Sequence, residues 1–338
     1  MSTRRTIKKV KRSEIVVSSS SVSKSSPTML PDLLSTIDEH PGYHAIVESS
    51  SSIILSGKLS KPPTQLDLLG NATIDGDNFR LFIRGYSDLY SGINPSAALL
   101  LDALIVVATD SRLQETLVEL PMSQFMYMRG LTNAKETRRQ VKRDLDALSR
   151  IRFEYRGTGK SKSNWLNVSL SGGTSGIHNS IIYFRFNEDF FRSFFFRENI
   201  LLFMFYPLEA LRANPHRNPH ARPLAYRIAA HKRMNMGKPN EHIISVRTLL
   251  EACPNLALYE EVVKSDGAVT RRIIEPFERD LTALSPALTW SYQKHTTTPA
   301  SYDDFCSENI VVSFSNYPSA DSIIAGKKRH STRKKPMK

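Results

Sequence analysis

The spacing of apolar residues changes repeatedly between residues 79 and 186, and each change predicts a different element of secondary structure. Alternation of apolar and charged residues, as in RIRFEYR at 150–156, is typical of a half-buried strand, whereas an almost uninterrupted apolar run is typical of a buried helix. The predicted elements, in chain order, are a strand at 79–83, a helix at 97–108, a short extended segment at Leu120, a helix at 121–129 ending at Gly130, a helix from about 134 to 149, and strands at 151–155, 165–170 and 181–186.

The helix predicted at 134–149 has two separate faces. Asn133 and Glu136 form a capping-box pair that predicts its first turn. Its apolar face, suited to a core, consists of Ala134, Val141, Leu145 and Leu148. Its basic face consists of Lys135, Arg138, Arg139, Lys142 and Arg143. Since no acid is interleaved among these five cations, we predict that they contact DNA phosphates and base edges; an ordinary solvated helix face is the alternative.

The order of these elements is helix, short strand, helix, tight turn, basic helix and β-hairpin. That order predicts a helix-turn-helix followed by a wing, in which the second paired helix enters the major groove. The hairpin of 151–155 and 165–170 is interpreted as the wing, with a turn at 157–164. Arg156, Lys160 and Lys162 are then predicted to contact the DNA backbone from its tip.

An internal repeat indicates a second copy of this module. RDLDALS at 143–149 recurs as RDLTALS at 279–285, and apolar alternation follows both copies. Before the second copy, helices are predicted at 225–234 and 245–252, and Pro276 is predicted to start the helix that carries Arg279.

The second helix has weaker candidates for DNA contact. These are Arg271, Arg272 and Arg279, and acids at 275, 278 and 280 surround them. We therefore expect this module to bind DNA less strongly or to read its shape. A purely structural role, with Arg279 bonded to a neighbouring carboxylate, is the alternative.

The sequence thus predicts an α+β protein with two tandem winged-helix domains and disordered basic termini. The predicted parts are a basic, Ser-rich and largely disordered region at 1–76, a first domain at 77–206, a linker at 207–222, a second domain at 223–317 and a basic tail at 318–338. Three prolines at 214–223 predict a hinge between two separate cores.

The net charge of +13 resides in the two ends of the chain, because residues 1–28 and 326–338 each carry seven Lys or Arg against a single acid in total. Such tails add non-specific attraction to nucleic acid, or serve only solubility. The neutral remainder still has dense basic stretches at 129–162 and 212–238, as in proteins that bind a polyanion. The two cysteines form neither a disulfide framework nor a zinc spacing, and no apolar run is long enough to span a bilayer, so we expect a cytoplasmic protein.

Signals of enzymatic chemistry are weak. GTGKS at 157–161 lacks the first glycine of a phosphate-binding loop, since that position is Glu154. No two histidines are separated by one residue, which excludes the usual metal site of nickases. The aromatic run at 190–205 is interpreted as core. We expect neither a metal nor another cofactor.

Four segments of the second half carry a family resemblance: IISVRTLL at 243–250, EACPN at 251–255, YEE at 259–261 and RRIIEPFERD at 271–280. With them, residues 79–317 resemble the replication initiators of plasmids and integrative elements of Gram-positive bacteria, which are similar to dual winged-helix Rep proteins. The resemblance implies binding to repeated origin sites, recruitment of host helicase or primase, and repression of the protein's own gene. It transfers no catalytic residue.

These observations predict a non-enzymatic protein that binds double-stranded DNA at a plasmid or mobile-element origin to initiate replication, either alone or as a homodimer. One alternative is a winged-helix transcriptional regulator that binds an operator. Another is a tyrosine-dependent origin nickase that uses Tyr155, Tyr183 or Tyr226, although no metal-binding carboxylate cluster accompanies these tyrosines in the sequence.

Overall fold

The structure is a computed structural model of the 338-residue chain. It describes residues 43–47, 65–75, 79–85, 95–110, 115–157, 163, 165–195, 203–253, 256–265, 267–295, 297–299, 301–315 and 317. The two basic tails, 1–28 and 326–338, lie outside the described residues, as does most of 29–76.

The described chain is a mixed α+β structure with several small sheets. The helices are α1 (Pro95–Asp110), α2 (Met122–Arg129), α3 (Ala134–Ser149), α4 (Glu188–Phe195), α5 (Leu208–Arg212), α6 (Ala221–Asn235), α7 (Val246–Leu250), α8 (Tyr259–Lys264), a π-helical segment (Thr270–Ile274) that continues into α9 (Glu275–Thr282), and α10 (Tyr302–Ser307). The strands are β1 (Tyr43–Val47), β2 (Gln65–Leu66), β3 (Ala72–Asp75), β4 (Phe79–Arg84), β5 (Leu117–Pro121), β6 (Arg152–Gly157), β7 (Trp165–Ser169), β8 (Ser171–His178), β9 (Ile181–Phe186), β10 (Phe203–Pro207), β11 (Ile243–Ser245), β12 (Leu288–Tyr292) and β13 (Asn309–Phe314).

Two three-stranded sheets have the same topology. Their strand orders are β5-β9-β8 and β11-β13-β12, so in each the first strand pairs antiparallel with the last and the last with the middle one. The elements α1, β5, α2 and α3 precede the hairpin of the first sheet, and α6, β11, α7 and α9 precede β12 and β13 of the second. The sequence repeat at 143–149 and 279–285 therefore lies within a larger repeat of topology.

The hairpin predicted as a wing belongs to a different sheet from β5. β6 and β7 belong to a five-stranded sheet of order β2-β3-β4-β6-β7, and β5 pairs instead with β9. In this sheet Phe153 is buried in the same row as Ile83 and Val168. Apolar alternation predicted the strand correctly, but it does not specify the pairing partner. The hairpin predicted at 151–170 is confirmed, but β4 pairs with the other edge of β6, so the hairpin is part of a larger sheet and its role as a wing stays a prediction.

The flexible hinge predicted at 214–223 is also corrected. The segment contains turns and the first residues of α6, and buried residues from both sides of it form one continuous hydrophobic core. Arg222 donates to both carboxylate oxygens of Asp102 in α1, at 2.7 and 2.8 Å, and the Tyr206 hydroxyl donates to the same carboxylate at 3.1 Å. The Asp102 side chain is 1% exposed and that of Arg222 is 12% exposed. A buried ion pair therefore fixes α6 against α1.

Pro276 does not start its helix. The helical chain begins before it, in the π-helical segment, and Pro276 follows within the first turn of α9. Because proline has no N–H for the usual bond to the residue four positions earlier, the regular α-helical pattern is interrupted here, and the wider π-helical turn lies immediately before it. The sequence also did not predict β8, α8, α10 or β13.

The aromatic residues of 190–205 that the structure describes are core residues, as predicted: Phe190, Phe191 and Phe205 are at most 4% exposed. Cys253 is buried, and burial raises the pKa of its thiol well above its ordinary value. Within the described ranges, no helix combines the length and apolar character needed to cross a membrane.

The Asp102–Arg222 pair generates a stability prediction. Arg222→Met leaves a buried carboxylate without its cation, and we expect it to lower the free energy of unfolding by about 3–5 kcal/mol. Asp102→Leu combined with Arg222→Met removes both charges and should cost less than Arg222→Met alone. Arg217→Met, at an exposed position, is the control. Urea unfolding measures all three, and a double variant less stable than the single one would contradict the expectation.

Glu308 predicts a pH dependence. Burial acts to raise the pKa of Glu308, but bonds from His295 (2.5 Å) and from the N–H groups of Asn309 (2.8 Å) and Lys294 (3.2 Å) outweigh it, so the pKa is lowered. This stabilisation is complete above the unfolded pKa of about 4.3 and is lost as pH falls through the folded value. Glu308→Gln should therefore flatten the decline of unfolding free energy between about pH 5 and 3. Glu251→Gln, at an exposed position, should retain the parent slope; equal slopes for the two variants would refute the assignment.

Candidate nucleic-acid interface

Local sequence signals position α3 as predicted. Gly130 ends α2 in the left-handed conformation, with φ 63°, which glycine adopts without strain. Asn133 caps α3, and its side chain accepts a hydrogen bond from the Glu136 N–H at 3.1 Å. Three residues of the apolar face predicted from the spacing, Val141, Leu145 and Leu148, are at most 4% exposed, whereas the fourth, Ala134, is exposed. The opposite face of α3 is therefore held towards solvent.

All five predicted cations of α3 are exposed: Lys135, Arg138, Arg139, Lys142 and Arg143. The stripe of five positions contains no acid, but an acid next to the stripe reaches two of its arginines. Glu136 lies between two of them in space and accepts from Arg139 at 2.9 Å and from Arg143 at 3.4 Å. Arg143 also donates to the side-chain oxygen of Gln140 at 2.8 Å. The basic face is therefore partly neutralised on the Arg143 side.

The other side of the basic face borders a groove. A cleft of about 630 Å³ lies between α3 and β8, and its lining includes Lys135, Arg138, Arg139 and Lys142 from the helix and Ser175, Gly176 and Ile177 from the strand. In the described part of the chain, Lys135 and Lys142 make no ion pair. Arg138 donates to the Ser180 hydroxyl at 3.0 Å, which ties the helix to the β8–β9 turn.

The strand that borders this groove, β8, contains neither lysine nor arginine. β8 has the sequence SGGTSGIH, and a Cβ added at Gly173 or Gly176 would meet nothing within 4 Å. Such a strand presents backbone and small hydroxyls beside the basic helix, so a polyanion can approach the main chain closely. Asn179 and Ser180 form its turn with φ of 47° and 61°, as in tight hairpins. His178, Asn179 and Ser180 are exposed and were missed, because the sequence analysis predicted the strand at 181–186 but not its partner.

The remaining predicted residues of the first half are not brought to this groove by any described contact. Arg156 lies in β6 of the five-stranded sheet, and its side chain is outside the described residues, as are Lys160 and Lys162 entirely. Arg129, in the basic stretch, is buried and donates to the Leu211 carbonyl oxygen; burial lowers its pKa to about 10. Arg129 therefore serves the contact between α2 and α5.

The second half places Arg271, Arg272 and Arg279 on exposed positions of the helical segment. Arg272 donates to the Ser265 hydroxyl at 3.0 Å and Arg279 to Asp280 at 2.9 Å. In the register set by the repeat, Arg271 corresponds to Lys135 and Arg279 to Arg143. Glu275 and Glu278, however, stand where α3 has Arg139 and Lys142. The second helix therefore lacks the basic groove face of the first.

The repeated aspartate has one structural role in both halves. Asp144 of α3 accepts from the Ser96 hydroxyl at 2.8 Å, at the start of α1. Asp280 of α9 accepts from the His220 backbone N–H at 2.8 Å and from the Asn218 amide at 3.1 Å, just before α6. Both aspartates are at most 1% exposed. Each therefore joins the helix that carries the sequence repeat, α3 or α9, to the beginning of the first helix of its half.

The structure also describes candidates for other chemistry. Tyr226 is 1% exposed in the core, and burial raises its pKa. Tyr183 is half-buried in β9, and the Tyr155 side chain is outside the described residues. Among the described residues, no three or more His, Cys, Asp or Glu side chains are grouped so that they could hold a metal ion.

Comparisons with known proteins give only a distant likeness. No protein-family model matches the chain, and none of the curated proteins matches it. Among solved structures, it is similar to a crystal structure of a selenomethionine derivative of domains 2 and 3 of RctB. The identity is 11%, the match covers 80% of this chain and 100% of that one, and the TM-score is 0.46. A second structure of these RctB domains gives 10% identity, 80% and 99% coverage and a TM-score of 0.44.

These comparisons do not show the Gram-positive family that the sequence resembles. A TM-score below 0.5 also carries no conclusion about function, so function is inferred below from the geometry of this chain.

The shared role of Asp144 and Asp280 predicts equal sensitivity of the two halves. Asp144→Asn and Asp280→Asn each leave a buried donor facing an amide, and each should lower the free energy of unfolding by about 1–3 kcal/mol. Asp146→Asn removes an exposed acid of the same helix, paired only with Arg150, and should cost less than about 1 kcal/mol. Urea unfolding provides the comparison. If the two buried variants matched Asp146→Asn, the carboxylates would not be holding the helices.

Proposed function

We propose that this chain is a replication initiator of a plasmid or similar mobile element that binds double-stranded DNA, without covalent chemistry, through two winged-helix modules. In this proposal α2 and α3 are the helix-turn-helix of the first module, and α3 enters the major groove. The observation that carries it is the basic face of α3 bordering an open groove beside β8.

The dimensions of α3 suit this role. Its 16 residues span about 24 Å at 1.5 Å per residue, and its cations from Lys135 to Arg143 cover about 12 Å of that length. The major groove, about 12 Å wide, admits one α-helix. Lys135, Arg138 and Lys142 face the groove side of α3, where the described residues include a single acid, Asp146.

The pairs on the other side of α3 are easily exchanged. Arg139 and Arg143 keep 62% and 59% of their side chains exposed while they pair with Glu136. Exposed ion pairs of this kind contribute only about 0–1 kcal/mol. A DNA phosphate can therefore replace Glu136 as the partner of these arginines at low cost, so they remain candidates for backbone contact.

The β8–β9 hairpin is the better candidate for the wing. Its strand order with β5 is the one found in the second half, and its turn is bonded to Arg138 of α3. His178, Asn179 and Ser180 then lie beside the helix that reads DNA. In the second module, Arg271 and Arg279 would make secondary contacts, because glutamates replace two of the cations there. Recruitment of host helicase or primase belongs to the same proposal and rests on the family resemblance alone.

The test uses matched positions of the two repeats. Lys135→Ala, Arg138→Ala and Lys142→Ala should each weaken duplex binding, while Arg271→Ala, the counterpart of Lys135→Ala, should weaken it less. A phosphate contact should reduce the slope of log affinity against log salt by roughly one, whereas a base contact should cost about 1–3 kcal/mol at one base pair. Fluorescence anisotropy with a random duplex and with duplexes selected by the parent protein separates these results.

Alanine is a good helix former and the apolar face of α3 is untouched, so these variants should remain folded. Circular dichroism checks this. A folded triple variant that binds selected duplex as tightly as the parent would show that the basic face of α3 is not the interface.

A further inference from the structure

The five-stranded sheet β2-β3-β4-β6-β7 has one buried and one outward face. The register places Ala72, Ile83, Phe153 and Val168 in one row across the sheet, and all are at most 5% exposed. The neighbouring rows therefore belong to the opposite face, because successive residues of a strand alternate between faces. On that face, Thr73, Phe82, Glu154 and Asn167 form one row, and Arg84, Arg152 and Ser169 form the next.

Aromatic side chains interrupt this outward face. Trp165 lies on the edge strand β7 with 62% of its surface exposed, although burial of a tryptophan contributes strongly to stability when a fold offers a place for it. Its indole N–H donates to Glu154 on β6 at 3.1 Å, which holds the ring across the sheet. Phe82 is partly exposed two strands away. One exposed and one partly exposed ring therefore lie on the same face of the sheet.

The same face carries several arginine positions. Arg84 and Arg152 are directly opposite each other and exposed, and Arg152 donates to the Ser169 hydroxyl at 3.2 Å. Arg80 and Arg156 occupy the row of Trp165 in the register, so their positions belong to the same face. The outward side of the sheet thus has four arginine positions and two acidic ones, Glu154 and Asp75. Of the two acids, Glu154 accepts the hydrogen bond from Trp165.

We propose that this face binds single-stranded DNA. Bases of a single strand are free to stack on aromatic side chains, while arginines alongside bind its phosphates. Bases in a duplex are already stacked on each other, so an exposed tryptophan among arginines suits an open strand better than a closed one. Asn167, Thr73 and Ser169 add polar groups between the cations. The surface is separate from the α3 groove; the choice of DNA over RNA rests on the proposed function.

Tryptophan fluorescence tests this directly, because the chain has only two tryptophans. Trp290→Phe leaves Trp165 as the sole reporter, and Trp165→Phe leaves Trp290, which lies in β12 of the other half. Titration with a 20-nucleotide oligo(dT) should quench the emission of the Trp290→Phe protein and leave that of the Trp165→Phe protein unchanged. Unchanged Trp165 emission at saturating oligo(dT) would overturn the proposal.

Affinity measurements supply the second arm. Trp165→Ala, and Arg84→Ala with Arg152→Ala, should weaken oligo(dT) binding on the order of 5- to 100-fold. Arg192→Ala, an exposed arginine on α4 paired with Glu188, is the control and should change nothing. An oligo(U) of equal length that binds more tightly than oligo(dT) would overturn the assignment to DNA.

The two proposals fail independently. Lys135→Ala with Lys142→Ala should weaken duplex binding and spare oligo(dT) binding, and the variants of the sheet should do the opposite. Loss of both activities in the sheet variants, with the fold intact, would place both on one surface and refute a separate single-strand site. Retained oligo(dT) binding in a protein without duplex binding would refute only the proposed function.

Discussion

A buried carboxylate holds the helix that carries the sequence repeat in each half, α3 or α9, and the exposed surfaces depend on it. Asp144 and Asp280 are the only acids of the sequence repeat that are preserved at the same position in both copies, and each accepts hydrogen bonds from the start of its half's first helix. Polar groups removed from water are costly unless paired, so these contacts fix α3 and α9 each in one position. Fixing that position turns the apolar face of α3 inwards and presents its cations outwards. In the repeated Arg-Asp pair, the aspartate thus has a structural role, while the arginine lies at the surface.

The same physical requirement joins the two halves. The side chains of Asp102 and Arg222 are both largely buried and form an ion pair, and the Tyr206 hydroxyl donates a further hydrogen bond to Asp102. Because neither charge can be left unpaired at low cost, α1 and α6 keep a fixed relation. Two DNA-contacting modules joined in this way would meet one duplex with a fixed spacing and phase, whereas a hinge would have allowed many. In the proposed function, the acidic replacements Glu275 and Glu278 would make the second half an orienting contact beside a stronger first one.

Local signals in the sequence predicted many of the helices and strands, but they did not predict which distant elements pair with each other. The cap of Asn133, the glycine after α2 and the two faces of α3 depend on residues within a few positions of one another, so spacing alone reveals them. The pairing of β6 with β4, and the contact of Arg222 with Asp102, join residues far apart in the chain and leave no local trace. β8 was not predicted for a different reason, because its three glycines and few apolar residues give no alternation of apolar and polar positions. Likewise, Glu136 is off the basic stripe by helical angle, yet its flexible side chain reaches two arginines of that stripe.

The surroundings of the hairpin that follows α3 bear on its chemistry. The order of the elements predicts this hairpin to be a wing on duplex DNA, but its strands belong to a five-stranded sheet whose outward face carries the exposed Trp165 and the partly exposed Phe82. A wing contacts duplex DNA through cations and a closely approaching backbone, and a solvent-exposed tryptophan is not needed for these contacts. Rings of this kind stabilise complexes with unpaired bases, and a duplex exposes none along its length. Because only Arg150 and Ile151 separate α3 from β6, the helix proposed to bind the duplex and the sheet proposed to bind an open strand are adjacent in the chain. If both proposals hold, this short connection between α3 and β6 keeps the contact that locates an origin next to the contact that holds it open.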